Sequence, residues 1–258
     1  MKIKQVAAQL FTLRDHTKTP KDIAVTLRRV REMGYQAVQA SAMGPIAEEE
    51  LLKMLKGEGL TCCATHEPAA TILEQPQAVV ERLRKLNCKY TAYPWPAGVD
   101  FGKPEDIRKL AAGLNAAGKV LHAAGQVLTY HNHDLEFRRV DGKPALELIY
   151  AATDPVYLQG EIDTYWVQVG GDDPLAWCAR LAKRLPLLHM KDGKLGTDGK
   201  YEMTEIGSGI LPWKEIVRTA EASGCQWFII EQDTNWKDND PFKALEISFN
   251  YIAAHLCG

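Results

Sequence analysis

The 258-residue sequence is 46% apolar and 25% charged, ordinary globular material with length for a full core in one large α/β domain or two small ones. A formal charge of −2 and a pI near 6.4 exclude the basic excess by which nucleic-acid binders attract phosphates, and favour a small neutral or polar ligand. No run of about 18 apolar residues occurs, and the opening "MKIKQVAAQLF" lacks the length and cleavage site of a signal peptide, so no membrane partner and a cytoplasmic location are expected.

Strand-like "IKQVAAQLF" (3–11) leads into "TPKDIAVTLRRVREMGY" (19–35), where Thr19 offers a cap, Pro20 takes the first helical position and apolar residues recur at helical spacing. "QAVQAS" (36–41) reads as a strand and "AEEELLKMLKGEG" (47–59) as a helix. Strand "LTCCATHEP" (60–68) precedes a helix around "QAVVERLRKLN" (77–87), and strand "CKYTAYPWP" (88–96) precedes the long helix "KPEDIRKLAAGLNAAGKVLHAAG" (103–125). The second half continues with strands at 126–131, 156–163, 185–190 and 226–232, and helices near 143–153, 172–184, 212–223 and 240–255. Gly34, Gly59, Gly125 and Gly224 each lie within two residues of a following strand, where a left-handed helix C-cap belongs.

Eight strand-then-helix units at roughly 30-residue spacing, with no linker between them, predict one closed (β/α)8 barrel domain over 1–258. An open doubly wound sheet is the alternative, but the first strand-to-helix turn "QLFTLRDHTKTP" has no glycine and so no dinucleotide fingerprint. The six cysteines show no CxxC spacing and read as reduced core residues.

In such a barrel the reactive groups stand at the C-terminal ends of the strands, because that rim is open while the interior is packed. The fifth strand ends in His131 and His133, the sixth in Glu161 and Asp163, the seventh in His189, the eighth in Glu231, and the third adds His66 and Glu67. Alternation sends 131 with 133, and 161 with 163, to one side of their strands. If that side is inward, the groups converge on a site suited to a borderline divalent cation: Mn²⁺ foremost, with Zn²⁺, Co²⁺, Fe²⁺ or Mg²⁺ as alternatives. Such a cation grips a carbonyl and a neighbouring hydroxyl and stabilises an enediolate.

Over nearly the whole chain the sequence resembles the xylose-isomerase-like barrels, through "AAQLFTLR", "YHNHDLEF", "EIDTYWVQVGGDDP", "LLHMKD", "EIGSGILPW" and "FIIEQD". That group includes sugar and sugar-phosphate isomerases and epimerases, inositol-catabolism enzymes and endonuclease IV repair enzymes. The resemblance implies one divalent metal held by Glu, Asp, His and Glu from the fifth to eighth strands, the two glutamates also moving protons. Asp163, His189 and Glu231 match the last three ligands. At the first, His131 stands where glutamate is usual, so either His131 ligates or a nearby carboxylate, Glu161 or Glu136, supplies the charge. Trp166 replaces a histidine common in relatives, and the chain lacks both the extra histidines of a trinuclear zinc site and a basic stripe, which argues against DNA repair.

Lys191 and Asp192 in "HMKD" are candidates for contact with a substrate hydroxyl or phosphate, and the "EIGSG" loop with Glu205 and Gly207 could turn its amides on an anion or substrate. Trp95, Phe11, Tyr165 and Trp166 are rim aromatics suited to the apolar face of a sugar. The expectation is a metal-dependent isomerase or epimerase of a small carbohydrate. Its metal would be held by His131, Asp163, His189 and Glu231, with Glu231 as leading base, His133 or Glu161 as its partner, and His66, Trp95, Lys191 and Glu205 toward the substrate. The alternative keeps the site and eliminates water or an alcohol from a keto-sugar or keto-inositol. Barrels of this type often form homo-oligomers, though no interface is legible here.

Overall fold

In the computed structural model, which describes residues 1–258, eight parallel strands close into a ring in chain order. They are β1 (Val6–Gln9), β2 (Ala37–Ala40), β3 (Thr61–His66), β4 (Tyr90–Tyr93), β5 (Val127–His131), β6 (Leu158–Asp163), β7 (Leu187–Met190) and β8 (Trp227–Ile230), with β1 pairing to both β2 and β8. This is the predicted (β/α)8 barrel, built from strands shorter than their apolar runs. Residues 3–5 and 10–16 wind into 3₁₀ turns on either side of β1. β4 stops before Pro94, which has no N–H to continue a ladder.

The helices form for local reasons. Helix Pro20–Glu32 starts at Thr19, whose hydroxyl accepts from Asp22 N while the Asp22 carboxylate accepts from Thr19 N, so two otherwise orphaned donors are satisfied together. It ends at Gly34, whose φ of +108° suits glycine and whose missing Cβ leaves room for the Phe249 ring. Gly59, Gly125 and Gly224 also have positive φ, as the sequence pattern predicts.

Four insertions escape the sequence pattern: helices Ala69–Glu74 and Thr164–Val169, and the hairpins Arg139–Val140 with Lys143–Pro144 and Asp192–Leu195 with Tyr201–Thr204. All follow the C-terminal ends of barrel strands and so build up the open rim.

Alternation divides the core. Leu128, Tyr130, Ile162, Leu188 and Met190 point outward into the large cluster between barrel and helices. Ala7, Ala37, Cys63, Tyr90, Leu187 and Ile229 fill the lower barrel interior. One inward position further along, Gln9, Gln39, Glu161 and His189 form a buried polar layer. All six cysteines are free, five of them buried.

Candidate metal centre and active site

Strand register builds the site. His131 pairs with Glu161 across β5–β6 and Asp163 with His189 across β6–β7, while Glu231 follows directly on β8. All five are buried inside the C-terminal mouth of the barrel. His131, Asp163, His189 and Glu231 each bring one ligand atom to a point where these atoms lie within 4.8 Å of one another. A second quartet, His66, His131, Glu161 and His189, satisfies the same measure and shares both histidines.

The two quartets use opposite ring edges. His189 Nδ1 lies 3.0 Å from Glu231 Oε2 and 4.0 Å from Asp163 Oδ2, while its Nε2 lies 3.0 Å from Glu161 Oε1. His131 Nε2 lies 4.0 Å from Asp163 Oδ2 and its Nδ1 3.4 Å from Glu161 Oε1. Beneath them a glutamine relay sets the proton positions. Gln39 Nε2 donates to Glu161 Oε2 at 2.8 Å, which turns the Gln39 carbonyl to accept from Gln9 Nε2 at 2.7 Å and from His189 Nε2 at 2.6 Å. His66 Nε2 donates to Glu161 Oε1 at 2.6 Å. Gln9 and Gln39 are not among the residues expected from the sequence; the inward parity of "AAQ" in β1 and "AVQ" in β2 is the signal that marks them.

Electrostatics favour a cation. Lys191, fully buried, sets its Nζ 2.7 Å from Glu231 Oε2 and 3.0 Å from both Asp163 Oδ2 and Asp233 Oδ2. Three carboxylates thus face one ammonium, and a fourth, Glu161, lies against the histidines on the other side of the cluster. Burial would raise Glu231, but Lys191 and His189 outweigh it and hold the carboxylate well below its usual range. Burial lifts Asp163 to about 6 against the pull of Lys191. Burial would depress His189, yet Glu161 and Glu231 draw it up to about 10. His131 drops to about 3 and His133 to about 2, first by burial and then by neighbouring cationic groups, so both stay neutral imidazoles. Neutral imidazole and ionised carboxylate are the donors a borderline divalent ion takes; His131 and Glu231 already have those forms, His189 would release its Nδ1 proton when a cation arrives there, and Asp163 Oδ2 is buried with no hydrogen bond beyond its ion pair with Lys191, so the upper quartet fits such an ion.

Around this centre opens a cavity of about 680 Å³, lined by His66, Trp95, His131, His133, Lys191 and Glu231 among others. His133, beyond the end of β5, stacks edge-on against His131 at 4.9 Å and Trp95 at 4.7 Å, and leaves its buried Nδ1 without a partner. Phe11 also reaches the cavity wall. Trp166 caps Asp163 through its backbone N–H at 3.0 Å, and its ring lies 5.6 Å from His133.

Several expected residues are engaged elsewhere. Glu161, a candidate partner base, has both oxygens bound to Gln39, His66 and His189. Glu136 turns away, its carboxylate accepting from Tyr130 OH and His133 N. Glu205 lies off the cavity wall and accepts from Lys237 N at 2.8 Å and Thr204 Oγ1 at 3.2 Å. The amides of Gly207 and Gly209, together with Gly193 N and the Trp213 indole N–H, donate to the Asp192 carboxylate, so that loop faces Asp192 instead of an outside anion. Tyr165 hydrogen-bonds to Tyr201 O and does not line the cavity.

Fold and site together define a (β/α)8 barrel with a buried His/Asp/His/Glu cluster at the C-terminal rim. Residues 27–253 match the model of the xylose isomerase-like TIM barrel family, and the chain belongs to that family. An inosose dehydratase of Salmonella agona is 29% identical over 199 residues, 70% of this chain and 62% of that protein; the chain spans little more than half the length of the curated relatives it matches. A sugar phosphate isomerase/epimerase from Parabacteroides distasonis superposes with a TM-score of 0.84 at 23% identity, covering 99% of this chain and 96% of the other. A xylose isomerase-like TIM barrel protein from Mycobacterium smegmatis in complex with magnesium gives 0.75 at 14% identity, covering 97% and 95%. At these identities the two structures speak for the fold.

Proposed function

We propose that the chain is a divalent-metal-dependent isomerase or epimerase of a small carbohydrate, acting by proton abstraction next to a carbonyl. The observation that carries this is the convergence of His131, Asp163, His189 and Glu231, one ligand atom each, under an open cavity. A divalent ion there supplies Lewis-acid polarisation of the carbonyl and of charge developing beside it. Glu231 is the base: it is ionised, borders the cavity and is oriented by Lys191 and His189. Lys191 Nζ lies 2.7 Å from Glu231 Oε2, and neutral His133, with its free Nδ1, can hydrogen-bond a substrate hydroxyl. Trp95, half exposed, offers its face to the apolar side of a sugar ring.

The substrate is proposed to be unphosphorylated. Both cations on the cavity wall are already paired, Lys191 with three carboxylates and Arg82 with Glu48 and Glu67, so none is free to neutralise a phosphate.

A second reading, elimination of water or an alcohol from a keto-sugar or keto-inositol, gains from the engagement of Glu161. Inversion at a carbon needs acceptors on both of its faces, and with Glu161 engaged the carboxylates left near the metal quartet, Glu231, Asp163 and Asp233, cluster on one side around Lys191. Single-base isomerisation and elimination need no second. The inosose dehydratase relatives point the same way.

The test is NMR of ketoses, aldoses and 3-keto-sugars in D₂O with metal-loaded and chelated protein. Metal-dependent deuterium uptake beside a carbonyl is expected, abolished in Glu231→Gln, and product mass assigns isomerase or lyase. No exchange on any candidate sugar would overturn the proposal.

A further inference from the structure

The chemistry proposed above leaves Glu161 without a part, yet this carboxylate is completely buried in the barrel and is the most heavily contacted acid of the site. One oxygen, Oε1, gathers three imidazoles: His66 Nε2 at 2.6 Å, His189 Nε2 at 3.0 Å and His131 Nδ1 at 3.4 Å. His131 Nδ1 is buried and has no hydrogen-bond partner of its own. The other oxygen is held by Gln39. We propose that Glu161 is the shared outer carboxylate of the metal centre, facing the far-side N–H of both histidine ligands, His131 and His189, the latter together with the Gln39 carbonyl, and so fixing which ring nitrogen each presents to the ion. The inference rests on the metal reading above.

The geometry argues for this role over direct ligation. The 2.6 Å approach of His66 is an N–H···O⁻ hydrogen bond, and His189 Nε2, hydrogen-bonded to the Gln39 carbonyl at 2.6 Å, has Glu161 Oε1 as the charge 3.0 Å beside it, so the carboxylate oxygen fills the space an ion in the lower quartet would need. With Nε2 keeping its proton, His189 would offer an ion the Nδ1 that otherwise donates to Glu231 Oε2 at 3.0 Å, and a proton on His131 Nδ1 leaves Nε2 bare toward Asp163. A carboxylate behind a metal-bound imidazole makes the ring a stronger donor, and losing such a partner costs about 10- to 100-fold in metal affinity. The arrangement also explains how a neutral His131 can occupy a ligand position. The negative charge that a glutamate would bring there is supplied by Glu161, one imidazole further out, and delivered to two ligands at once.

The test measures Co²⁺ affinity and visible absorption for the wild type, Glu161→Gln, Asp163→Asn and His66→Asn. In parallel, ¹⁵N NMR of the Zn²⁺-loaded wild type reads the histidine tautomers, which requires no variant to fold. Expected are a 10- to 100-fold weaker Co²⁺ dissociation constant in Glu161→Gln with nearly unchanged band positions, loss of binding in Asp163→Asn, retained binding in His66→Asn, and protons on His131 Nδ1 and His189 Nε2. An affinity of Glu161→Gln within threefold of the wild type, or the opposite tautomers, would overturn the inference alone. Binding lost in Glu161→Gln and His66→Asn but kept in Asp163→Asn would place the ion in the lower quartet and overturn it too. A wild type that takes up no cobalt removes the metal reading and this inference with it.

Discussion

At the scale of single residues, Glu136 shows what burial costs when no cation is near. Its carboxylate is wholly inaccessible and accepts from Tyr130 OH at 2.8 Å and His133 N at 2.9 Å. Burial nevertheless pushes its pKa up to about 7, and the hydrogen bonds only partly offset that. Because the folded value lies above the unfolded one, the folded state holds the extra proton between them. Stability from this group is fully present below about pH 4.5 and is lost as pH rises through about 7, a change of roughly 3 kcal/mol at about 1.4 kcal/mol per unit. Glu136→Gln removes the titration. Urea unfolding at pH 4.5 and pH 8 should show the wild type losing roughly 3 kcal/mol more than the variant over that interval; parallel losses would contradict the assignment. What Glu136 gains in return is position, since it pins the backbone of His133 at the edge of the cavity.

At the scale of elements, the loop after the seventh strand is organised by one acid. Asp192, fully buried, accepts from Gly193 N, Gly207 N, Gly209 N and Trp213 Nε1, at 2.7 to 3.3 Å, with no cation among its hydrogen-bond partners. A Cβ on Gly209 would fall 2.1 Å from its Oδ1, so this glycine is required by close approach. Asp192→Asn replaces an acceptor-only group with one that turns an amide toward these donors. A loss on the order of 3 kcal/mol in unfolding free energy and faster proteolysis between residues 205 and 211 are expected, and an unchanged cleavage rate would refute the role. This element also shows where sequence stops being legible. His131, Asp163, His189 and Glu231 could be read in advance because parallel strands put their C-terminal ends on one rim and alternation fixes the inward side. The same parity marks Gln9 and Gln39 as inward, but the relay they form depends on partners in other strands that the sequence does not name. Asp192 reads from the sequence as a substrate contact but is buried and bound by its own loop, a role hidden because its donors lie up to 21 residues away, across a hairpin whose sequence "DGKLGTDGKYEMT" carries no strong alternation.

At the scale of the whole molecule, closing the ring makes the first and last units depend on each other. β1 pairs with β8, Gln232 N donates to Thr12 Oγ1, and the C-terminal helix Pro241–His255 lies over that seam. Tyr35 donates to Leu245 O at 2.9 Å, and Phe249 fills the space that Gly34 leaves open. The helix contributes Phe242, Leu245, Phe249 and Ile252 to the core, each buried. At about 1.5–3 kcal/mol for each large apolar side chain, these four represent roughly 6–12 kcal/mol. A domain of this kind has a net stability of about 5–15 kcal/mol, so one helix carries as much as the whole margin. A chain ending at residue 240 should therefore show no cooperative unfolding transition by circular dichroism in urea. Phe249→Ala alone should lose about 3–5 kcal/mol yet stay two-state. If the truncated chain melted cooperatively near the full-length midpoint, the ring would be self-sufficient without its last helix. Glu231 and Asp233, which follow β8, would then owe their placement to strand pairing alone, whereas the packing of the last helix makes them depend on the element that closes the seam behind them.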